Sequence, residues 1–337
     1  MDHALAFAAS LGLRFPIFQA PVGRVAGPAL AAAVAEAGGM GALAFTWTPP
    51  EDARRLIAAV RAKTERPVQA NFVLAFAPTA LPAALEAGVR FVTFSWGMPA
   101  GEVALVRSFG ARFGVQATTP DGARRALDLG ADFLICQGVE AGGHVQATQG
   151  LDDILPHIVS IAQGVPVIAA GGLGDGAAIA RVLAAGASGA MLGTRFVATQ
   201  ESLAHEIYQR RLVEAGAHGT ALTVCFDGGW PYAAHRVLRN STLEAWEAAG
   251  CPPPGRRPGE GARIASEPGG RDFPRYDDAP PLAAMQGDAE AMCLYAGTSC
   301  AAIRDIPSVA ELMPRLWQEA AEKISARHGP HPAVTPP

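Results

Sequence analysis

The sequence predicts a closed α/β barrel of eight βα units, a (β/α)8 fold, with an irregular and partly helical C-terminal appendage. Short apolar runs alternate with helical patterns through the first two thirds of the chain, as repeated βα units around a parallel sheet require. Eight such runs can be counted, and 337 residues suit one large barrel, for which roughly 250 residues are typical, with an addition.

The strand-like runs are Ile17 to Ala20, Gly41 to Phe45, Val68 to Leu74, Phe91 to Ser95, Arg112 to Ala117, Phe133 to Gln137, Val165 to Ala170 and Gly189 to Gly193. Ala/Leu/Arg-rich segments lie between them, opening on helix-start signals at Pro28, Pro50-Glu51-Asp52, Thr119-Pro120-Asp121 and Asp175. Several close on glycine, at Gly38, Gly88, Gly130 and Gly186, where a left-handed residue ends the helix. An open doubly wound sheet is the structural alternative. It would carry a G-x-G-x-x-G fingerprint after its first strand, and Pro21 to Gly27 does not match.

After a last helix near Glu201 to Ala215 the pattern changes. Residues 216–286 are rich in Gly, Pro and Arg with little periodicity, so the chain divides into a barrel over 1–215 and an appendage over 216–337 that covers the active site. Pro252 to Gly259 reads as an exposed, mobile loop with its arginines in solvent, and the wider stretch from Cys251 to Pro274 as mobile for want of apolar area to offset ordering entropy. Periodicity returns from Ser308 to Ser325, where Ser308 and Glu311 form a capping-box pattern, and this helix is expected to pack back on the barrel. The tail from His328 to Pro337 reads as disordered.

Composition narrows the class. Half the residues are hydrophobic and 17% charged, enough for a sizeable core. A net charge of −4 without a basic, aromatic-laced stripe argues against nucleic acid as partner, and nothing points to a membrane surface. No run reaches the 18 or so apolar residues of a membrane span. The apolar run Ala4 to Leu13 lacks a cationic lead-in and reads as mature protein, not a signal peptide. Five scattered cysteines without a C-x-x-C pair suit free thiols in a reducing, cytoplasmic setting and suggest neither zinc nor disulfides. Oligomeric state does not follow from the sequence, and a homo-oligomer stays open.

In such a barrel the active site lies at the C-terminal ends of the strands, and the loops after strands seven and eight often hold phosphate. Here those loops are the glycine-rich ones: Ala170-Gly171-Gly172-Leu173-Gly174-Asp175-Gly176 and Met191-Leu192-Gly193-Thr194-Arg195-Phe196. Glycine lets backbone N–H groups approach a phosphate, and the next helix start favours its charge; the alternative is that these glycines only make tight turns. After strand six, Gln137-Gly138-Val139-Glu140-Ala141-Gly142-Gly143-His144 opens on the same face. Gly142-Gly143 permits close approach to a planar ligand, and His144 is then the first large polar side chain, suited to general-base work on a carbon acid.

Together Gln19-Ala20-Pro21, Ala31 to Gly41, Gln137 to His144, Ala170-Gly171-Gly172 and Gly193-Thr194-Arg195-Phe196 resemble the nitronate monooxygenase family, formerly called 2-nitropropane dioxygenases. The likeness runs from about residue 14 to 202, and Tyr295-Ala296-Gly297 to Glu311-Leu312 resembles the family's C-terminal part. It implies a TIM barrel binding FMN non-covalently and oxidising a nitronate or nitroalkane with O₂ to a carbonyl compound and nitrite. By the same resemblance Asn71 and Gln137, with Gln116 beside them, would hydrogen-bond the isoalloxazine or ribityl region. Gly142 would line it, Ala20 and Pro21 belong to the cofactor-binding set, and Gly171, Gly172, Met191, Leu192, Gly193 and Thr194 would hold the phosphate. His144 would be the catalytic base. Val22 and Gln146 depart from the family pattern, which has Met and Gly there. An NAD(P)H-dependent reductase of a quinone or an enoyl thioester shares the motifs and is the alternative function, and a flavin-binding protein without turnover is a further one.

Two groups border this site. Phe226 to Pro231 and His235 to Asn240 form either a lid with aromatic and cationic groups or ordinary packing. Trp47, Phe72, Phe94 and Trp96 line either an apolar substrate pocket or, for Phe72 and Phe94, the barrel core.

Overall fold

The computed structural model describes residues 2–328. Its chain opens with α1 (Asp2–Ser10), then alternates β1 (Ile17–Gln19), α2 (Pro28–Glu36), β2 (Gly41–Ala44), α3 (Pro50–Arg61), β3 (Val68–Val73), α4 (Leu81–Glu86), β4 (Phe91–Ser95), α5 (Val103–Ser108), β5 (Arg112–Ala117) and α6 (Pro120–Asp128). There follow β6 (Phe133–Gln137), a two-residue strand β7 (Gly143–His144), α7 (Leu151–Ala162), β8 (Val167–Ala170), α8 (Gly176–Ala184) and β9 (Gly189–Leu192). All eight expected runs are strands, each within a residue or two of its predicted ends. The start signals work as read: Thr119 and Asp175 cap α6 and α8 through their side chains, and Gly38, Gly88, Gly130 and Gly186 all have positive φ.

The eight long strands pair in parallel in the order β1-β9-β8-β6-β5-β4-β3-β2. The two ends of that order meet through backbone bonds between Gln19 and Met40 (2.9 Å) and between Met40 and Ile17 (3.0 Å). The Gln19 amide reinforces the seam by bonding both the C=O and the N–H of Ala42, at 3.0 and 3.2 Å. The fold is a (β/α)8 TIM barrel.

Alternation along the strands sorts the side chains. Phe45, Phe72, Phe94 and Phe113 point outward into the helix layer and are completely buried there, each worth roughly 1.5–3 kcal/mol of burial. Phe72 and Phe94 are therefore core packing, not pocket. Inward-facing Phe18, Met40, Phe133, Ile135, Ile168 and Met191 cluster with Phe7, Leu11 and Leu13. That cluster makes α1 a plug at the N-terminal ends of the strands, where His3 Nε2 also bonds Ala187 O at 3.0 Å.

Between β9 and the last helix lie α9 (Thr194–Val197), α10 (Glu206–Glu214), β10 (Thr220–Thr223), β11 (His235–Leu238), α11 (Ser241–Ala248), β12 (Arg263–Ser266), β13 (Asp272–Pro274) and β14 (Gln286–Gly287), before α12 (Val309–His328). Ser308 and Glu311 cap α12 reciprocally, as their spacing predicts. Helix α12 packs against α8 and α2, so closely that a Cβ on Gly176 would press on Leu316 O and Ala320 N, both at 2.7 Å. It thus fills the place of the eighth barrel helix, and residues 194–308 are inserted between the eighth strand and that helix.

The insertion corrects three expectations. The helix expected near 201–215 is confined to α10. The 216–286 stretch holds two small antiparallel sheets, β10-β11-β7 and β13-β12-β14, the first of which includes a strand of the active-site loop. The 251–274 segment is ordered by long-range contacts that its own composition conceals: Phe273 is fully buried with Ala265, Met285 and Met292. Arg257 is likewise withdrawn from solvent, its guanidinium on Asp227 (2.6 Å) and Glu260 (2.7 Å) and over the Tyr276 ring. Arg256 is exposed as expected. The expected disorder of the tail lies outside the described residues beyond His328. Among the described residues the five cysteines are free thiols, and no helix is long and apolar enough to cross a membrane.

Candidate active site

Above the apolar plug the barrel interior turns polar. Asn71 on β3 donates to Thr93 O (3.2 Å) and Thr93 Oγ1 (3.1 Å) on β4. Gln116 on β5 donates from Nε2 to Gln137 Oε1 on β6 (3.3 Å) and to Gln146 Oε1 (3.1 Å). Gln137 Oε1 also accepts from the backbone N–H of Gln146 at 3.0 Å, and Gln146 Oε1 from that of Trp96 at 3.2 Å. Gln116 and Gln137 thus stand together at the ends of β5 and β6, with Asn71 one inward-facing layer deeper on β3. Gln146, singled out in the sequence only as a departure from a pattern, ties two of them to Trp96.

The glycine loops lie beside this group. Gly171 (φ +104°) and Gly172 (φ +69°) need glycine for their backbone, and a Cβ on Gly172 would crowd Glu140 Cβ at 3.0 Å. Gly193 has no such need: a Cβ there would meet only Ala20 and Val22, both at an ordinary 3.4 Å. Ala20 is anchored by its N–H to Leu192 O (2.8 Å), and Thr194 Oγ1 accepts from Gly297 N (3.0 Å). Pro21 follows Ala20, half-buried. The side chains of Met191 and Leu192 are committed elsewhere, Met191 to the inner apolar cluster and Leu192 to the helix layer, so only their backbone is available to a ligand. Gly142 owes its identity to the protein itself, since a Cβ there would collide with the backbone of Ala296 and Gly297. Glu140 caps α7 through Leu151 N (3.0 Å).

His144 sits on β7 directly opposite His235 of β11, their rings 5.5 Å apart. His235 is complete: Nδ1 bonds Ala233 O at 2.9 Å, and Nε2 accepts from Phe226 N at 3.2 Å, which places its proton on Nδ1. His144 Nε2 is buried and has no partner among the described residues. Burial, with the second imidazole alongside, pushes His144 down to about 3, and burial also lowers His235. Both rings are neutral at working pH, and only His144 keeps a lone pair that no neighbour takes.

Aromatic side chains cover it. Trp230 lies 4.6 Å from both the His144 and Trp96 rings, and Phe76 links Trp230 to the exposed Trp47. Tyr295 stands 5.6 Å from His144 on another side. Trp96 holds a left-handed φ of 58°, a strain characteristic of functional sites. Trp230 and Tyr295 of the insertion thus pack on His144, while the insertion's cations do not face the ring: Arg236 binds Val139 O, Arg239 binds Glu247, and Asn240 caps α11. Phe76 carried no local signal, because a loop aromatic reads the same whether it covers a site or a surface, and Tyr295 stood out only through the C-terminal resemblance.

The model of the family described as nitronate monooxygenase matches residues 6–86 and 78–319. This chain belongs to the nitronate monooxygenase family. A nitronate monooxygenase of Pseudomonas aeruginosa is 32% identical across 93% of this chain and 98% of its own length. A nitroalkane oxidase structure from Streptomyces ansochromogenes superposes with a TM-score of 0.77 at 31% identity, covering 96% of this chain and 99% of the other. FabK of Thermotoga maritima superposes at 0.79 with 26% identity, covering 96% and 98%. The protein is an enzyme, an oxidoreductase of this flavin-dependent class.

Proposed function

We propose that this family member binds FMN at the barrel mouth and oxidises alkyl nitronates, and neutral nitroalkanes after deprotonation, with O₂ to a carbonyl compound and nitrite. Gly193 adjoins the first N–H groups of α9, which a helix start leaves without intrahelical partners, and a side chain there would meet only Ala20 and Val22, so this turn suits a phosphate. Asn71, Gln116 and Gln137 would meet the ring system, whose polar edge calls for amide partners. When bound, the flavin supplies the electron acceptor and the route to O₂. The chain's own residues position substrate, exclude water under Trp230 and move one proton. We also propose that the stretch over 216–308 works as the cover of the site and the barrel as its cofactor-binding part.

The observation that carries this reading is the unpartnered Nε2 of His144 beneath the aromatic cover. A neutral nitroalkane must lose its α-proton before it can give up electrons, and Nε2 is the lone pair available to take it. His235 is no rival, because both its nitrogens are engaged. Burial makes the lone histidine a weak base, so proton transfer depends on the nitronate anion forming beside the new imidazolium and stabilising it. His144→Asn should slow nitroalkane oxidation by about 10²–10⁴-fold, the usual worth of a general base, and affect a preformed nitronate far less, with FMN retained. Nitrite release and O₂ uptake on both substrates check this; equal loss on both would refute the base role.

A second reading has specific support in the likeness to FabK and in a carboxyl-CoA dehydrogenase of Mycobacterium tuberculosis, 35% identical over 71% of this chain and 67% of its own. In it the same barrel takes hydride from NAD(P)H to reduce a quinone or an enoyl thioester. Rapid anaerobic bleaching of the flavin by micromolar NADH would favour it over the monooxygenase.

A further inference from the structure

We propose that Gln146 is a positioning residue that sets the hydrogen-bonding polarity of the barrel mouth, turning Gln116 into an acceptor and Gln137 into a donor toward the ring edge of the cofactor. The inference rests on the flavin reading above.

An amide side chain has two ends of similar shape, and only its partners decide which end points where. Two of the partners here are backbone N–H groups, which can only donate. The Gln146 N–H faces Gln137 at 3.0 Å, so that atom of Gln137 must be its oxygen. The Trp96 N–H faces the Gln146 side chain at 3.2 Å, so that atom is an oxygen too. Gln116 lies against both oxygens, 3.3 and 3.1 Å away, and must present its NH₂ to them. Each assignment forces the next. What is left over is one acceptor, Gln116 Oε1, and two donors, Gln137 Nε2 beside it and Gln146 Nε2, none with another partner among the described residues.

The pyrimidine edge of an isoalloxazine alternates carbonyl oxygens with one N–H, so a fixed acceptor beside a fixed donor is the complement it needs. Without the Gln146 carbonyl, Gln116 would keep a single anchor and swing freely about it. Trp96 would also lose the bond that steadies its left-handed backbone, since its N–H is held by no other group among the described residues.

The test compares wild type, Gln146→Leu, which removes the acceptor, and Gln146→Glu, which keeps one. In flavin-free protein, amide hydrogen exchange at Trp96 should be slow in wild type and Gln146→Glu and at least tenfold faster in Gln146→Leu. Titration of each apoprotein with FMN and with 3-methyl-FMN, which has no N3–H to donate, reads the polarity. Wild type should prefer FMN by about tenfold, Gln146→Glu should keep the preference, and Gln146→Leu should bind FMN about tenfold more weakly and lose most of it. Unchanged exchange at Trp96, or an undiminished preference in Gln146→Leu, would overturn the positioning role. Failure of wild type to bind either flavin would instead overturn the flavin reading, and the ligand proposed here with it.

Discussion

His144 and His235 face each other across one strand pair, the first half-buried, the second fully buried and both neutral, yet the insertion completes its histidine and the barrel mouth leaves its own unfinished. The contrast holds over the two regions. In the insertion Asn240 bonds Met292 O (2.7 Å), Thr242 bonds Ala291 O (2.7 Å) and Arg257 grips Asp227. At the barrel mouth His144 Nε2, Gln116 Oε1 and Gln137 Nε2 have no protein partner among the described residues. Leaving a buried polar atom unpaired costs about 1–3 kcal/mol; at the mouth that atom is His144 Nε2, while within the insertion Arg195 holds another. Burial alone marks nothing, since the fully buried histidine of the two is the one whose nitrogens are both engaged.

The sharpest way to break this contrast is to fill the mouth. Gly193→Val adds methyls where the backbone tolerates them and only Ala20 and Val22 stand near, so the protein should fold normally and lose FMN by on the order of 100-fold or more, at about 1.4 kcal/mol per tenfold. Flavin stoichiometry after purification measures it, and a folded variant with full flavin would show that the space is not the phosphate site.

The insertion should respond oppositely. Phe273→Ala empties a fully buried position far from the mouth and should cost about 3–5 kcal/mol where that hairpin packs. Proteolysis should then nick 251–274, which should resist it in wild type, while flavin stays bound. Equal protease sensitivity in the wild type would mean that the hairpin is no better held than its Pro/Gly/Arg content suggests.

A smaller effect separates the two histidines by pH. The folded state holds both below the ordinary histidine value, His144 near 3, by burial. As pH falls from about 6.5 toward 3 the unfolded chain binds protons that the folded one refuses, so stability falls through that window. His144, held near 3, contributes roughly 2 kcal/mol of loss between pH 7 and pH 5, and His235 adds to it in the same direction. His144→Asn should remove the His144 share, read from urea midpoints at the two pH values. A pH dependence identical to wild type would show that His144 is protonated in the fold.

Much of this architecture was legible in the residues. Eight apolar runs, their Pro and Asp starts and their glycine ends are local features, and a TIM barrel repeats them without long-range help. The motif order also led to the family, and Gln116, Gln137, His144 and the two glycine loops fall at one end of the barrel because its strands all end on one face.

Other features lie in contacts that no local window contains. Whether Phe72 faces pocket or helix layer depends on which side of its strand the barrel closes, and whether Arg257 is solvated depends on Asp227 thirty residues away. That α12 serves as the eighth barrel helix depends on glycine-level fit against α8. The tertiary structure alone decided which of two adjacent histidines keeps a free lone pair, because that depends on Phe226 N and Ala233 O closing around His235. The sequence by itself determined the strand count, the order of the loops and the face they share, since periodicity and chain connectivity are properties of neighbours along the chain. Polarity, exposure and availability belong to neighbours in space.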